Sequence, residues 1–342
     1  MSLIRKLALT GLIVAGVAAA SPSVAADPET RSFRDWRVVC DNGGDCVAYV
    51  GATGGPTAFV RIAMPAGPEA EPEVMIGAWG QDPDSGLDLV IDGAPRRLAA
   101  GPESEWAGVA QARGAEARQL LEAMAAGDDM TLSVAGETAA VSLSGVSAAL
   151  LWIDERQGRL NTVTALIRRG NRPASMVPGS PELPRIRARP ASISQFTQSD
   201  HPAVPAEVLA HPSVADCRRD WGEPVNGDGI LYAEVGPSMR VWGVQCYMAA
   251  YNAGHVLFVT DHRGRNVRPL VLSGVDEEVE VFTNVDIGWS IVNNVRGRGL
   301  GDCGVIQVWT LAVRGFELAS ERRMDECWGM PPELWPALWR TR

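Results

Sequence analysis

The chain has 342 residues, with 41 acidic side chains against 31 basic ones and a formal charge of −10. That length predicts about two domains, either one large enough to bury a core. So acidic a chain is a poor partner for nucleic acid or an anionic membrane surface.

Met1 to Lys6 gives a short basic start, Leu7 to Ala20 an apolar run, and Ser23-Val24-Ala25-Ala26 a small-residue cleavage site. Residues 1–26 therefore read as a cleaved signal peptide, with the mature chain beginning near Ala26 or Asp27. Losing Arg5 and Lys6 leaves 29 basic residues against 41 acidic ones, a charge of −12, and since Lys6 is the only lysine all 29 are arginines. No cysteine stands at the junction to take a lipid, and no later stretch approaches the roughly 20 apolar residues of a membrane helix. The expectation is a periplasmic or secreted protein without a membrane span.

From Arg34 to Gly93 short strand-like runs alternate with Gly, Pro, Asp and Ser: 36–40, 46–51, 58–64, 74–79 and 87–91. Ala117, Leu120, Leu121 and Met124 then repeat at helical spacing before Gly127. Period two returns at Met130-Leu132-Val134 and Ala139-Val141-Leu143, and Val146, Ala149, Leu150 and Ile153 mark a second helix ending at Gly158. Val163-Ala165-Ile167 reads as a closing strand. Residues 27–169 thus form one β domain with two short helices.

Residues 170–205 scatter prolines among Ser and Arg without apolar periodicity and read as a stiff extended linker. Cleavage by proteases is expected there, near Arg185, Arg187 or Arg189, with the halves folding separately. Residues 206–342 form a second, mostly β domain with strands around Leu231, 241–247, 256–260, 267–272 and 278–282, and a final hairpin. The fold class is mainly β, α+β in detail.

Six cysteines in an exported chain are read first as disulfides. Cys40 and Cys46 flank the turn formers Asp41 to Asp45 between two strands, which predicts a hairpin closed by its own bridge. Cys303 and Cys327 lie symmetrically about Gly315, so a hairpin turning at Arg314-Gly315 brings them together, given a bulge or a one-residue register shift. By elimination Cys217 joins Cys246, although four cysteines in one half allow three connectivities. The four histidines, His201, His211, His255 and His262, do not have zinc-site spacing, so no metal or cofactor is expected.

Phe33-Arg34-Asp35-Trp36 leading to Cys40, Ser142 to Gly145 running on to Asp154 to Arg159, Tyr251-Asn252, and Gly297-Arg298-Gly299-Leu300-Gly301-Asp302-Cys303-Gly304 resemble one family of exported bacterial proteins. It is catalogued as domain of unknown function 1176. The likeness covers the whole mature chain. The first domain is also similar to the invasion-associated locus B family, through the Asp-Trp-x-x-x-Cys start, the Val90 to Gly93 hairpin and the Ser-Leu-x-Gly segment. A second cysteine pair common there is absent between Glu105 and Gln111. This resemblance implies an immunoglobulin-like β-sandwich for residues 30–168 and brings no established activity.

Several segments imitate functional motifs. Asp82, Asp84, Gly86 and Asp88 resemble the start of a calcium loop, but Gly93 stands where its bidentate acid belongs, which leaves a hairpin turn. Gly145-Val146-Ser147-Ala148-Ala149 lacks the last glycine of a nucleophile elbow and has no histidine in its domain, so it reads as a helix start. Asp154 and Glu155 point about 100° apart on a helix and cannot share a substrate; ion pairing with Arg156 and Arg159 explains them. Trp335 and Trp339 with Leu334 and Leu338 form a tail that staples onto its own domain or anchors a partner. The best recognition candidate is the loop from Arg296 to Asp302, in which glycines turn amides outward and Arg296 and Arg298 add forked donors.

The expected function is that of an exported, non-enzymatic binding or cell-envelope-associated protein, its partner an unknown protein or a small anionic ligand. Two alternatives stand beside it: a hydrolase whose carboxylates meet only on folding, and an acidic inhibitor of a cationic secreted enzyme. Arg296, Arg298 and Asp302 are the candidate ligand-binding residues.

Overall fold

A computed structural model describes residues 26–102, 104, 107–187, 201–219, 229–288 and 290–342. Residues 1–25, with Glu105 and Arg189, lie outside the described residues. In the first half β1 (Glu29–Phe33), β2 (Trp36–Cys40), β3 (Cys46–Gly54), β4 (Ala58–Met64), β5 (Glu73–Trp79), β6 (Leu87–Ile91), β7 (Ala94–Ala100) and β8 (Ala107–Arg113) precede α1 (Gly114–Ala126). β9 (Asp129–Val134), β10 (Glu137–Ser142) and α2 (Val146–Arg156) follow.

Hydrogen bonding runs β3-β10-β9-β6-β7-β8-β5-β4 and returns from β4 to β3, closing eight strands into a barrel with β2 and then β1 laid beside β3. Two seams are narrow: β7 meets β8 at Ala99–Gln111 and Ala100–Ala110, and β10 meets β3 at Ala140–Gly54 and Val141–Ala52. Because the ladder continues through both seams, a closed barrel is the description, in place of the two-sheet sandwich the resemblance implied. Ala117, Leu120, Leu121 and Met124 of α1 and Val146, Ala149, Leu150 and Ile153 of α2 are buried in the same cluster as Val38, Val60, Ile62 and Ile76 of the strands. Both helices thus form where apolar periodicity places them.

Residues 163–167 are not a strand. The carboxylate of Asp154, fully buried, accepts the Leu166 amide at 2.8 and 2.9 Å and the Ile167 amide at 3.0 Å, drawing that stretch into a loop against α2. Arg159, also fully buried, donates to the Pro65 and Gly67 carbonyls at 2.9 and 2.6 Å. Of the following proline-rich stretch, residues 170–187 are extended, with one short helical turn at Ala174–Met176, and run along the barrel: Val177 is 4% exposed and Ser180 Oγ donates to the Ala66 carbonyl at 3.0 Å.

The second half adds α3 (Ala206–Leu209) and α4 (Pro212–Arg219), then β11 (Ile230–Val235), β12 (Met239–Met248), β13 (Ala253–Asp261), β14 (Arg268–Pro269), β15 (Leu272–Ser273), β16 (Glu278–Val279) and β17 (Val281–Thr283). β18 (Asp286–Ile287), β19 (Ser290–Arg296), β20 (Gly304–Ala312), β21 (Gly315–Met324) and β22 (Ala337–Arg340) form a five-stranded antiparallel sheet. β20 and β21 meet at Ala312–Gly315 around Val313-Arg314, and a register shift at Val308/Trp309 brings Cys303 to Cys327, as the hairpin reading requires. The bridges are Cys40–Cys46, Cys217–Cys246 and Cys303–Cys327, and no described cysteine is free.

The tail does not close on its own half alone. Met330, Leu334, Trp335 and Leu338 share a buried cluster with Val39, Tyr49, Phe59, Met75 and Val109 on the outer face of the barrel. Gly51 makes room for this contact, since a Cβ there would lie 2.2 Å from Trp328 Cγ. Asn42 and Arg340 exchange hydrogen bonds at 2.9 and 2.8 Å, and Arg340 pairs with Asp41 at 2.5 Å and Asp45 at 2.8 Å.

This joint predicts that cutting at exposed Arg187 leaves two fragments that co-elute on size exclusion. Trp335→Ala, which empties a site only 3% exposed, should lower stability by about 3 to 5 kcal/mol in denaturant titration and release the nicked halves from one another.

Candidate functional site

The loop from Arg296 to Asp302 joins β19 to β20 and meets the turn between β12 and β13. Asn252 clamps them, its Nδ2 donating to the Arg296 carbonyl at 2.9 Å and its Oδ1 accepting the Arg296 amide at 3.1 Å. Asn284 Nδ2 donates to that same Oδ1 and to the Asn294 carbonyl, each at 2.9 Å. The Tyr251 hydroxyl donates to the Gly297 carbonyl at 3.3 Å, and a Cβ on Gly299 would sit 3.6 Å from the Tyr251 ring. Gly297 has to be glycine, for a Cβ there would be 2.7 Å from Cys303 Sγ. Tyr251-Asn252 and Gly297 to Gly304, far apart in sequence, are thus one cross-braced surface.

The two arginines of the loop have different environments. Arg298 turns inward: Nε donates to Asp302 Oδ1 at 2.7 Å, and Nη2 to Asp302 Oδ2 at 2.5 Å and to the Cys327 carbonyl at 3.1 Å. Asp302, fully buried, also accepts the Gly329 amide at 2.7 Å. Burial alone would raise its pKa; the Arg298 and Gly329 hydrogen bonds outweigh that and hold its carboxyl below the usual range. Arg296 is exposed, and its guanidinium meets no carboxylate among the described residues. Tyr251 and Leu300 beside it are 39% and 48% exposed. Arg298 and Asp302 are thus bonded to one another within the fold, whereas Arg296 is exposed on a surface braced by Tyr251, Asn252 and Asn284. The adjacency of the two motifs is a tertiary fact that no spacing in the sequence carries.

The imitated motifs are satisfied internally. Asp82 accepts the Asp84 amide at 3.0 Å and Asp88 pairs with Arg97 at 2.8 Å, so the calcium-like stretch is a bonded hairpin. Ser147 donates to the Ala125 carbonyl at 2.8 Å. Asp302, Cys303 and Cys327 cluster as metal ligands would, but both sulfurs are in a disulfide.

Two measurements check these assignments. Arg298→Ala strands a buried carboxylate and should cost about 2 kcal/mol, less than a fully buried pair because the guanidinium side chain is 40% exposed; Arg296→Ala should leave the melting temperature unchanged. His255, 6% exposed, faces Gln245 and Phe282 across neighbouring strands, its Nδ1 has no partner among the described residues, and burial lowers its pKa to about 4. Its folded pKa lies below its unfolded one, so protons favour the unfolded chain. The loss begins as pH falls below 6.5, is complete near 4 and is on the order of 3 kcal/mol. Denaturant titrations at pH 7 and pH 4 should show that excess pH dependence in the wild type and not in His255→Leu.

Among known proteins, the family described as "Protein of unknown function (DUF1176)" matches residues 30–342. The uncharacterized protein YpfG of Escherichia coli strain K12 is 27% identical over 338 residues, covering 93% of this chain and 94% of its own. The crystal structure of invasion associated protein b from Bartonella henselae aligns at 15% identity and a TM-score of 0.31, over 38% of this chain and 99% of its own. With a match across nearly all of the described residues, the chain belongs to the DUF1176 family.

Proposed function

We propose that the protein is an exported, non-enzymatic binding module of the cell envelope that docks an acidic segment of a protein partner on the surface formed by Tyr251, Arg296 and Leu300. The observation that carries this reading is the bracing of two loops by Asn252 and Asn284, which holds exposed together an aromatic, an aliphatic and a cationic side chain that meets no carboxylate among the described residues. Tyrosine and arginine are the side chains that most often dominate binding energy, and a rigid loop loses little entropy on docking. In a chain this acidic, an exposed arginine that meets no carboxylate among the described residues gives an anionic segment a favourable place to land.

The fate of the buried acids supports the absence of catalysis. Asp154 and Asp302 are engaged as described; Asp41 accepts the Gly43 and Asp45 amides at 2.8 and 3.0 Å, and Glu321 accepts the Val275 amide at 2.9 Å and Gln307 Nε2 at 3.0 Å. Three disulfide pairs suit an oxidising compartment, and no helix among the described residues is long and apolar enough to cross a membrane. Our reading places the protein in the periplasm or outside the cell, after removal of residues 1–26.

Capture from envelope extract under non-reducing conditions tests the proposal. The wild type should retain a partner that Tyr251→Ala with Arg296→Ala loses by at least about tenfold at unchanged melting temperature. Equal capture by the double variant would overturn it.

A further inference from the structure

A cleft of about 590 Å³ lies on the other side of the five-stranded sheet's hairpin from the Tyr251 surface. Its wall comes from three remote stretches: Asp27-Pro28 near the start of the described chain, Pro184 to Ile186 of the proline-rich segment, and the second-half sheet with residues 271–275. Gly304 and Ala312 are opposite ends of β20; the Arg296 loop sits at the first, whereas Phe316 and Leu318 of the cleft follow the turn at the second. The two regions are therefore separate.

The apolar part of the lining is aromatic and aliphatic: Trp309, Phe316, Trp339, Leu318, Leu272 and Ile186. The two indoles are fixed, Trp309 Nε1 donating to the Ser273 carbonyl at 2.8 Å and Trp339 Nε1 to the Leu318 carbonyl at 3.2 Å. Three charged side chains share this lining: Asp27, Glu317 and Arg185. None of them forms an ion pair among the described residues, in a protein where Arg340, Arg298, Arg323 and Arg97 all do. Two carboxylates and one guanidinium, without ion-pair partners among the described residues and set around fixed aromatic faces, match a ligand that carries an ammonium, a carboxylate and bulky apolar groups.

We propose that this cleft binds a short apolar peptide with free termini. Its ammonium group meets Asp27 and Glu317, its carboxylate meets Arg185, and its side chains lie on Trp339, Phe316 and Leu318. The cavity is in the range that encloses a drug-sized molecule, which suits two or three residues and is too small for a folded partner. A cationic ammonium beside tryptophan and phenylalanine faces also gains from the ring quadrupoles. An acidic protein surface raises the local concentration of the positive end, and the single arginine selects against ligands that have no negative one.

Calorimetric titration of the intact, disulfide-bonded protein with leucyl-phenylalanine, its N-acetyl form and its C-terminal amide tests the assignment. Blocking the amine should weaken binding by about fivefold, and Glu317→Gln should do the same for the free peptide and nothing further for the acetylated one. Amidation should pair with Arg185→Ala in the same way. Among the described residues neither Glu317 nor Arg185 has an ion-pair partner to lose, so both variants should melt with the wild type, and Tyr251→Ala should bind the peptide normally. The proposal is overturned if the acetylated and free peptides bind equally, if the variant and blocking effects simply add, or if no binding is seen up to about 10 mM.

Discussion

Four neighbouring strands of the barrel, β3, β4, β5 and β8, are largely buried on both faces, and the fold depends on covering the outer one. Every residue of β3 from Cys46 to Gly51 is buried, so inward Ala48 and Val50 alternate with outward Val47 and Tyr49 without any polar face. A barrel with such an exterior would expose a large apolar patch to water. The segment from Met324 to Leu338 covers it, and the chain arranges much else around that contact. Arg61, deep in the joint, donates to the Leu334 carbonyl at 2.9 Å, and Trp79 Nε1 donates to the Gly329 carbonyl at 2.9 Å. At the far end Arg340 is pinned by Asp41 and Asp45 in the very turn that the first disulfide closes.

Buried acids hold this chain's irregular segments. Asp41 fixes the tight turn between β2 and β3, Asp154 gathers the loop after α2, Asp302 links the glycine-rich loop to Gly329, and Glu321 takes the Val275 amide over the second sheet. In each case a carboxylate accepts backbone N–H groups that have no strand or helix to bond them, satisfying donors that would otherwise be costly to bury. Removing any one of these acids would leave those donors unpaired and free a whole segment.

Regular elements were legible where periodicity is undiluted. Both helices carry their apolar residues at helical spacing, and the hairpin around Gly315 is flanked by alternating strands, so their positions and the pairing of Cys303 with Cys327 follow from the residues. β7 was invisible because six of its seven residues, Ala-Pro-Arg-Arg and two alanines beyond Leu98, lie outside the core; only Leu98 is buried. The stretch 163–167 has strand-like alternation and is nevertheless a loop, since Asp154 supplies its amides with a better acceptor than a neighbouring strand. The outer face of the barrel misleads in the opposite sense. Continuous burial hides the alternation that would announce a partner surface, and so the tail reads as belonging to its own half.

At the candidate site the residue types were readable and their partners were not. Glycines with two arginines beside a cysteine mark a loop that turns sharply near a covalent anchor, but only the folded chain separates Arg298, which neutralises a buried aspartate, from Arg296, which meets none among the described residues. That division has a mechanical consequence. Arg298 reaches the Cys327 carbonyl, Cys327 is bridged to Cys303, and both cysteines pack into the cluster shared with the barrel. The surface that carries Tyr251 and Arg296 is therefore not a free loop but the outer end of the same covalent and ionic assembly that joins the two halves. A contact made there by a partner would bear on the joint, because the loop cannot move without moving Cys303, and Cys303 cannot move without disturbing the side chains that cover the barrel.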